Sequence, residues 1–282
     1  MIVDQSMRIT GIIGSPIHHS LSPVIHNFWL RINKMKGVYI PFLVEPKDLK
    51  EALLGCAALG FTGINVTVPH KEAALQFLDY IDPVATEIGA VNTIMINVEG
   101  KFEGFNTDCF GFTEAIQAGS TNDWSPSGKP VAVIGAGGAA RSVIYALKVL
   151  NAGEIRIVNR TYERAESLAS EFGDRCKVWN WRDRHDILED TALLVNTTKC
   201  GMFGQPILEL DLKKLPEACL VNDIVYAPLM TNLLRNAEAR GNTIITGLEM
   251  LLHQARPAFK KWFGVDPDIS DDLRTEVFSR LK

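Results

Sequence analysis

The stretch VAVIGAGGAAR, residues 131–141, joins a short apolar run to a cluster of glycines. Val131 to Ile134 form the kind of β-branched run that is typical of a buried parallel strand. Gly135, Gly137 and Ala140 then match the pattern G-x-G-x-x-G/A. In that pattern the first glycine permits a tight turn, the second lets a pyrophosphate approach the backbone, and the third small residue allows a helix to pack closely on a strand. A strand before the glycines and a helix after them are the context that a dinucleotide-binding turn requires.

The helix after this turn is predicted over about Gly138 to Leu150, with its first N–H groups pointing at the phosphates. Glycine turns are also common without a ligand, so a purely structural turn is the alternative to a cofactor site. The predicted cofactor contacts in the turn are Gly135, Ala136, Gly137, Gly138 and Ala139.

The second part of such a motif is expected about 20 residues further on, at the end of the next strand. That strand, Glu154 to Val158, is followed by Asn159-Arg160-Thr161. An NAD site would place Asp or Glu here to accept hydrogen bonds from the ribose, whereas the guanidinium of Arg160 suits a 2′-phosphate. Arg164, one helical turn on, adds a second positive charge. The strand end therefore predicts NADP, bound by these four residues; an ordinary exposed arginine is the alternative.

The composition is that of an ordinary globular enzyme. The 282 residues are 46% hydrophobic, and the net charge of −4 shows no basic excess for binding nucleic acid. No run approaches the roughly 18 apolar residues of a membrane span, and the N-terminus lacks the plan of a signal peptide. The five scattered cysteines form no CxxC pair, which suits a reducing compartment. We therefore expect a cytoplasmic protein without a metal site, acting as a monomer or a homodimer.

The predicted elements are of α/β type throughout the chain. A polar linker, GSTNDWSPSGKP (119–130), separates two such regions, and a hairpin is predicted across Glu99-Gly100 in the first of them. We therefore predict an N-terminal α/β substrate domain (1–118) and a Rossmann-like dinucleotide-binding domain (119–247). The last long helix has no strand after it, so the C-terminal segment (248–282) is expected to return and pack on the first domain.

Two serines of the first domain mark a place for an anion. Ser20 and Ser22 stand beside a helix start, with Ser22 as the predicted N-cap and Pro23 as the first helical residue. α/β proteins bind their ligands at such positions. The two hydroxyls suit a carboxylate, although both serines can equally be simple caps.

A second polar group follows the strand from Gly63 to Val68, as Asn65-x-Thr67-x-x-x-Lys71. Asn65 and Thr67 leave the strand on one face. Lys71 is predicted at the start of a helix, where the positive end of the dipole is unfavourable for an ammonium group; a solvated lysine is the alternative. A third group of amides and one carboxylate suits the hydroxyls of a polyol, and it comprises Asn92-Thr93 and Asn106-Thr107-Asp108, where Asp108 can instead be a helix cap.

Taken together, these segments resemble the shikimate dehydrogenase family, which reduces 3-dehydroshikimate with NADPH. The resemblance covers nearly the whole chain, and seven motifs in the same order make it specific. They are GSPIHHSLSP (14–23), NVTVPHK (65–71), GAVNT (89–93), NTDCFGF (106–112), IGAGGAAR (134–141), NRT (159–161) and GLEMLLHQA (247–255).

The resemblance implies a role for each polar residue. Ser20 and Ser22 would hold the substrate carboxylate, and Lys71 would be the acid–base residue with Asp108 beside it. The ring oxygens of the substrate would be bound by Thr67, Asn92, Asp108 and Gln254, with Tyr226 also approaching the substrate. The residues along the nicotinamide would be Ile224 and Gly247.

Two segments depart from the family pattern: Glu249 stands where glycine is expected, and Lys199-Cys200 where a small polar or apolar pair is usual. Two alternative functions also stay open. A quinate/shikimate dehydrogenase that uses NAD would share the fold and the lysine–aspartate pair, but the strand end at 159–161 lacks its acidic residue. A NADPH-binding regulator without catalysis would have no use for an intact Lys71, Asp108 and Gln254.

Overall fold

The computed structural model describes residues 7–121 and 124–281, and it confirms the predicted α/β fold. The chain forms two compact units. The substrate unit comprises the chain up to Thr107 and from Leu252 onward, and the nucleotide unit is Asp108–Leu251. The C-terminal segment therefore returns to the first unit, so that one unit is inserted into the sequence of the other.

Among the described residues, twelve strands form two six-stranded sheets, one in each unit. They are β1 (Arg8–Gly14), β2 (Gly37–Leu43), β3 (Gly63–Val66), β4 (Tyr80–Ile81), β5 (Thr93–Ile96) and β6 (Phe102–Phe105) in the substrate unit, then β7 (Val131–Ile134), β8 (Ile155–Val158), β9 (Cys176–Trp179), β10 (Leu193–Asn196), β11 (Leu220–Asp223) and β12 (Ile244–Ile245) in the nucleotide unit. The first sheet is mixed, in the order β2-β1-β3-β5-β6-β4, and the antiparallel pair β5–β6 confirms the predicted hairpin. The second sheet is parallel, in the order β12-β11-β10-β7-β8-β9.

The helices alternate with the strands, as the sequence predicts. They are α1 (Ser22–Ile32), α2 (Leu49–Ala58), α3 (Pro83–Ile88), α4 (Asp108–Gly119), α5 (Gly138–Val149), α6 (Tyr162–Phe172), α7 (Asn232–Ala239), α8 (Gly247–Phe263) and α9 (Asp271–Phe278). Short 3-10 helices add Pro46–Asp48, Ala73–Phe77, Trp181–Asp183 and Asp186–Leu188.

Helix α4 differs from the predicted domain limits, because the structure groups it with the nucleotide unit and not with the first domain. Its Phe112, Ala115 and Ile116 are buried in the same apolar core as β7 and α5. That burial outweighs the polar sequence after the helix. The predicted linker itself includes residues 122 and 123, which lie outside the described residues.

Helix α8 closes the substrate unit by packing directly on β3. A Cβ atom on Gly63 would lie 2.1 Å from Nε1 of Trp262, so no side chain fits at that position. The same indole N–H donates to the carbonyl of Ile94, 3.2 Å away. The close approach of helix and strand thus depends on a glycine and an aromatic residue about 200 positions apart.

An aromatic cluster fills the space between α1, β2 and α8; its members are His26, Trp29, Tyr39, Phe259 and Trp262. The rings of His26 and Tyr39 are stacked with their centroids 4.2 Å apart. His26 is fully buried, and neither ring nitrogen has a hydrogen-bond partner in the described structure. Burial lowers the pKa of His26 to about 3, so this histidine is neutral in the folded protein.

Candidate active site

A buried hydrogen-bond network occupies the substrate unit where β5 begins. The amide of Asn92 donates to Oγ1 of Thr107 at 2.9 Å and to Oε1 of Gln254 at 3.2 Å. Its carbonyl oxygen accepts from the backbone N–H of Thr107 at 2.8 Å. Helix α8 therefore brings Gln254 to Asn92, although 162 positions separate them in the chain. Both are sequence-predicted site residues, and the fold places them in direct contact.

Two further residues of this network, Asn65 and Thr107, belong to the polar groups that the sequence singles out, but the family resemblance assigns them no substrate contact. Oδ1 of Asn65 accepts a hydrogen bond from the hydroxyl of Tyr39 at 2.6 Å. Its amide donates to the carbonyl of Asn92 at 2.8 Å and to Oγ1 of Thr93 at 3.0 Å. Because both the oxygen and the nitrogen of the Asn65 amide have hydrogen-bond partners inside the protein, we infer that this residue orients the other side chains of the network. The available sequence signal was the position of both residues within the NVTVPHK and NTDCFGF motifs.

Ser20 and Ser22 lie at the start of α1, and here one local prediction was wrong. The helix begins at Ser22 itself, and Leu21 is its N-cap. The backbone N–H of Ser22 donates to Oγ of Ser20 at 3.3 Å, and that of Val24 to the carbonyl of Leu21 at 3.0 Å. Pro23 has no N–H to donate. Backbone donors of the first turn are thus largely used, and the two hydroxyls are left as the groups that can bind an anion.

Lys71 lies in a turn after β3, and the predicted helix start at this position was wrong. A short 3-10 helix begins two residues later, at Ala73. The buried imidazole of His70 reaches the carbonyl of Val44 at 2.8 Å, and the carbonyl of Lys71 accepts from the N–H of Val91 at 2.9 Å. These contacts hold the backbone of the half-buried Lys71, which lies in a turn and not at the predicted helix start. Thr67 precedes the turn, with its N–H on the carbonyl of Ile13 at 2.9 Å.

Asp108 is the first residue of α4 and is buried, with 5% of its surface exposed. A carboxylate in the first turn interacts favourably with the positive end of the helix dipole. Asp108 directly follows Thr107, which belongs to the network around Asn92. The peptide bond between them is therefore where the chain passes from the substrate unit to the nucleotide unit.

The glycine turn after β7 has the shape that a dinucleotide requires. Gly135 has a φ of +116°, and a Cβ there would lie 2.4 Å from Oγ1 of Thr197. Gly137 is the N-cap of α5 without a side-chain cap, and a Cβ on it would meet nothing within 4 Å. Ala140 is fully buried against the sheet. The space beside Gly137 is therefore open, and the first N–H groups of α5 are of the kind that bind a pyrophosphate.

The end of β8 fits a 2′-phosphate better than a free ribose hydroxyl. Arg160 and Arg164 are exposed, and neither forms an ion pair with any residue that the structure describes. The amide of Asn159 donates to the carbonyl of Thr161 at 2.8 Å, which closes the turn into α6. Two unpaired guanidinium groups beside neutral hydrogen-bonding residues suit a phosphate dianion.

The predicted nicotinamide-side residues Ile224 and Gly247 lie against each other in the nucleotide unit. A Cβ on Gly247 would be 2.3 Å from the carbonyl oxygen of Ile224, so glycine is required for α8 to begin there. Tyr226 lies two residues after Ile224 and is half-buried.

Asp223 was missed by the sequence reasoning, although it begins DIVYAPL (223–229), the segment that contains Tyr226. It is fully buried, and burial raises its pKa to about 6. Its carboxylate accepts hydrogen bonds from Asn196, Val225 and Thr231.

Neither a metal centre nor a membrane helix accompanies this arrangement in the part of the chain that the structure describes. Residues 7–121 and 124–281 contain no group of three His, Cys, Asp or Glu side chains placed to bind a metal ion. Over the same residues, no helix combines the length and apolar character needed to cross a bilayer.

Comparison with known proteins covers both units. Family models described as shikimate dehydrogenase substrate binding domain, shikimate/quinate 5-dehydrogenase and shikimate 5′-dehydrogenase C-terminal domain match residues 12–94, 118–224 and 247–274. The chain is 50% identical over 272 residues to shikimate dehydrogenase (NADP(+)) of Paramagnetospirillum magneticum, an alignment that covers 96% of this chain and 98% of that protein.

Solved structures of proteins with the same family names are also similar to this chain over nearly its whole length. The crystal structure of shikimate 5-dehydrogenase from Thermus thermophilus in complex with NADP(H) and shikimate has a TM-score of 0.85 and 38% identity, over 97% of this chain and 100% of that one. Quinate dehydrogenase from Corynebacterium glutamicum in complex with NAD has a TM-score of 0.88 and 30% identity, over 97% of this chain and 99% of that one.

Proposed function

Since this chain belongs to the shikimate dehydrogenase family, we propose that it catalyses the reversible reduction of 3-dehydroshikimate to shikimate with NADPH, a step of aromatic amino-acid biosynthesis. The observation that carries the proposal is the buried network in which Asn92, Thr107 and Gln254 converge. Such a set of amides and hydroxyls suits a ligand with several hydroxyl groups. The unpaired arginines at the end of β8 support NADP as the cofactor.

The cofactor would be held by the glycine turn, the end of β8 and the start of α8. When bound, it supplies the hydride. Backbone N–H groups at the start of α5 would bind its pyrophosphate, and Arg160 and Arg164 its 2′-phosphate. The full set of proposed cofactor contacts is Gly135, Ala136, Gly137, Gly138, Ala139, Asn159, Arg160, Thr161, Arg164, Ile224 and Gly247.

Lys71 is the proposed acid–base residue, and Asp108 the second catalytic residue. Negative charge develops on the ketone oxygen during reduction, and an ammonium group within hydrogen-bond reach stabilises that charge and then donates its proton. In the oxidative direction the neutral amine accepts the proton of the same hydroxyl. The role proposed for Asp108 is to orient the ammonium group of Lys71.

The remaining substrate contacts fix the ring. The hydroxyls of Ser20 and Ser22 would donate to the substrate carboxylate, which is remote from the reacting carbon, and their contribution would therefore be uniform binding. The proposed ring contacts are Thr67, Asn92, Tyr226 and Gln254.

Steady-state rates at 340 nm with shikimate and quinate, each against NADP and NAD, test the function. We expect shikimate with NADP to give the highest kcat/KM. A preference for quinate with NAD would assign the chain to the second activity of the family, and a chain that binds NADPH without turnover of either substrate would contradict both.

Replacing Lys71 tests the mechanism. Lys71→Met should lower turnover by about 10²–10⁴-fold, the usual size of an acid–base contribution, while the Kd for NADP, measured by titration, stays unchanged. The matched control is Lys101→Met, an exposed lysine of the same unit that pairs only with Asp79 at the surface. If Lys71→Met turned over normally at saturating shikimate, Lys71 would be a binding contact and the proton would have another source.

Asp108→Asn should also slow the reaction. Because the two residues act on one proton transfer, the double variant should be little slower than Lys71→Met alone. Multiplicative losses would instead assign them independent roles.

We also propose a cytoplasmic location, and a monomer or homodimer as the working form. Mass measurement by light scattering distinguishes the last two.

A further inference from the structure

The carboxylate of Asp223 ends β11 and organises the segment that follows it. Its Oδ1 accepts from the backbone N–H of Val225 at 3.0 Å, and its Oδ2 accepts from the hydroxyl of Thr231 at 2.7 Å. Thr231 is in turn the N-cap of α7, where its Oγ1 accepts from the N–H of Leu234 at 3.3 Å. One carboxylate therefore fixes both ends of the segment 224–231, which carries Ile224 and Tyr226.

Asn196 extends this network to the segment after the neighbouring strand. Its amide donates to Oδ1 of Asp223 at 2.9 Å and to the carbonyl of Cys200 at 3.2 Å. Its Oδ1 accepts from the N–H of Thr198 at 3.1 Å and from the hydroxyl of Thr198 at 2.8 Å. The preceding residue of that segment, Thr197, lies against the glycine turn at Gly135. The segments after β10 and β11 are thus joined through two side chains.

We propose that Asp223, acting with Asn196, is a positioning residue that holds the segments 197–201 and 224–231 in the geometry required by the nicotinamide half of the cofactor and by the substrate. The inference rests on the proposed function, which places Ile224 and Tyr226 at that half of the site. The hydrogen bonds of Asp223 are to Asn196, Val225 and Thr231, so its effect on cofactor and substrate would be transmitted through these residues.

Two observations separate this role from ordinary stabilisation. First, burial of the charge is itself unfavourable, as the raised pKa of Asp223 shows, and a neutral or apolar residue often stabilises such a site equally well. Second, the network lies at the carboxyl end of the parallel sheet, where α/β proteins bind their ligands. The unfavourable burial of this carboxylate therefore occurs at the edge of the sheet where the positions of the reacting groups affect the reaction.

The opposite end of the same strand offers a matched control. Asn242 is buried, and its amide donates to the carbonyls of Pro216, Glu217 and Cys219 at 2.8, 3.0 and 3.0 Å, just before β11. Asn242→Ala removes three side-chain hydrogen bonds, as Asp223→Ala does, but at the amino end of the sheet. A purely structural role predicts the same functional result for both variants.

The experiment compares Asp223→Ala, Asp223→Asn and Asn242→Ala. For each we would measure kcat and KM for shikimate with NADP, and the Kd for NADP and for 2′,5′-ADP by calorimetry. Asp223→Ala should lower kcat/KM by about 10- to 100-fold, the size expected of a displaced reacting group, and weaken NADP binding. Binding of 2′,5′-ADP should change by less than about twofold, because that probe reaches the end of β8 and, through its 5′-phosphate, the glycine turn, but not the segment 224–231.

Asp223→Asn should rescue most of the activity, because its carbonyl oxygen can accept from Asn196 and Val225 and its amide can donate to Thr231. Asn242→Ala should lower the melting temperature and leave kcat/KM within about twofold of wild type. If Asp223→Ala does not fold, the isosteric Thr231→Val removes the Oδ2 contact and should give the same pattern to a smaller extent.

Equal kcat/KM for Asp223→Ala and Asn242→Ala, or equal weakening of 2′,5′-ADP and NADP, would overturn the positioning role. Failure of the proposed function would look different, since the wild-type protein itself would then not oxidise shikimate with NADP.

Discussion

Arg160 presents an exposed guanidinium at the end of β8 that no described carboxylate neutralises. Arg160→Asp removes a charge-assisted contact with the 2′-phosphate, which is usually worth about 1.5–3 kcal/mol, and adds repulsion. The Kd for NADP should therefore rise by at least about tenfold, while NAD is tolerated better. Calorimetric titration of both cofactors measures this.

The control is Arg235→Asp, which makes the same charge change on an exposed arginine of α7. An unchanged ratio of NADP to NAD affinity in Arg160→Asp would mean that the 2′-phosphate is bound elsewhere.

His26 makes the substrate unit sensitive to acid. Its pKa is about 3 in the folded protein and about 6.5 in an unfolded chain, so its contribution to stability is complete above pH 6.5 and is lost as the pH falls towards 3. Between pH 7 and pH 5 the loss amounts to about 2 kcal/mol. His26→Leu should remove this loss. The free energy of unfolding of the variant, measured with urea at pH 7 and pH 5, should therefore increase relative to that of wild type at pH 5. His18→Leu, at an exposed position, should not.

At the scale of elements, a substitution in the glycine turn between β7 and α5 can change cofactor binding without changing the stability of the fold. Gly137 has an extended backbone, with φ −108° and ψ −173°, and a Cβ there meets no protein atom within 4 Å. Gly137→Ala should therefore fold with an unchanged melting temperature but bind NADP more weakly, because the methyl group occupies the space predicted for the pyrophosphate. Gly55→Ala also adds a Cβ in open space, but within helix α2; it should leave NADP affinity unchanged and raise the melting temperature slightly, because alanine is a better helix former than glycine. Normal NADP affinity in Gly137→Ala would place the pyrophosphate elsewhere.

Elements whose signals are local were predictable from the sequence. The strand β7, its glycine turn and α5 follow from eleven consecutive residues, and the β5–β6 hairpin follows from Glu99-Gly100. The helix start expected at Lys71 was wrong, because only a short 3-10 helix follows and tertiary contacts of the turn hold the lysine.

Contacts between distant parts of the chain were not predictable in the same way. Neither the hydrogen bond from Tyr39 to Asn65 nor the one from Asn196 to Asp223 leaves a local pattern, since each joins strands through the sheet order. The motifs identified the polar residues of the candidate site, and the fold determines which of them meet.

At the scale of the whole molecule, the two units carry buried titratable groups of opposite effect. The pKa of Asp223 rises from 3.8 to about 6 on folding, so its contribution to stability is present below pH 3.8 and is lost as the pH rises through 6. His26 acts in the opposite direction over the same range. Relative to wild type, the free energy of unfolding of Asp223→Asn should increase by about 2 kcal/mol between pH 4 and pH 7, whereas that of His26→Leu should increase on acidification. Unfolding curves of both variants at several pH values would reveal these trends, and trends of the same sign would contradict the assignment of either group.

The return of the chain to the substrate unit has a consequence for its synthesis. Phe259 and Trp262 pack against His26 and Tyr39, and Trp262 also lies against Gly63. Both residues leave the ribosome long after the strands that they cover. The nucleotide unit is one continuous stretch and can fold as soon as it emerges, whereas the earlier-made unit must wait, with its aromatic face uncovered, for the last helices to be translated. Of the two units, the one whose synthesis starts earlier is therefore completed later.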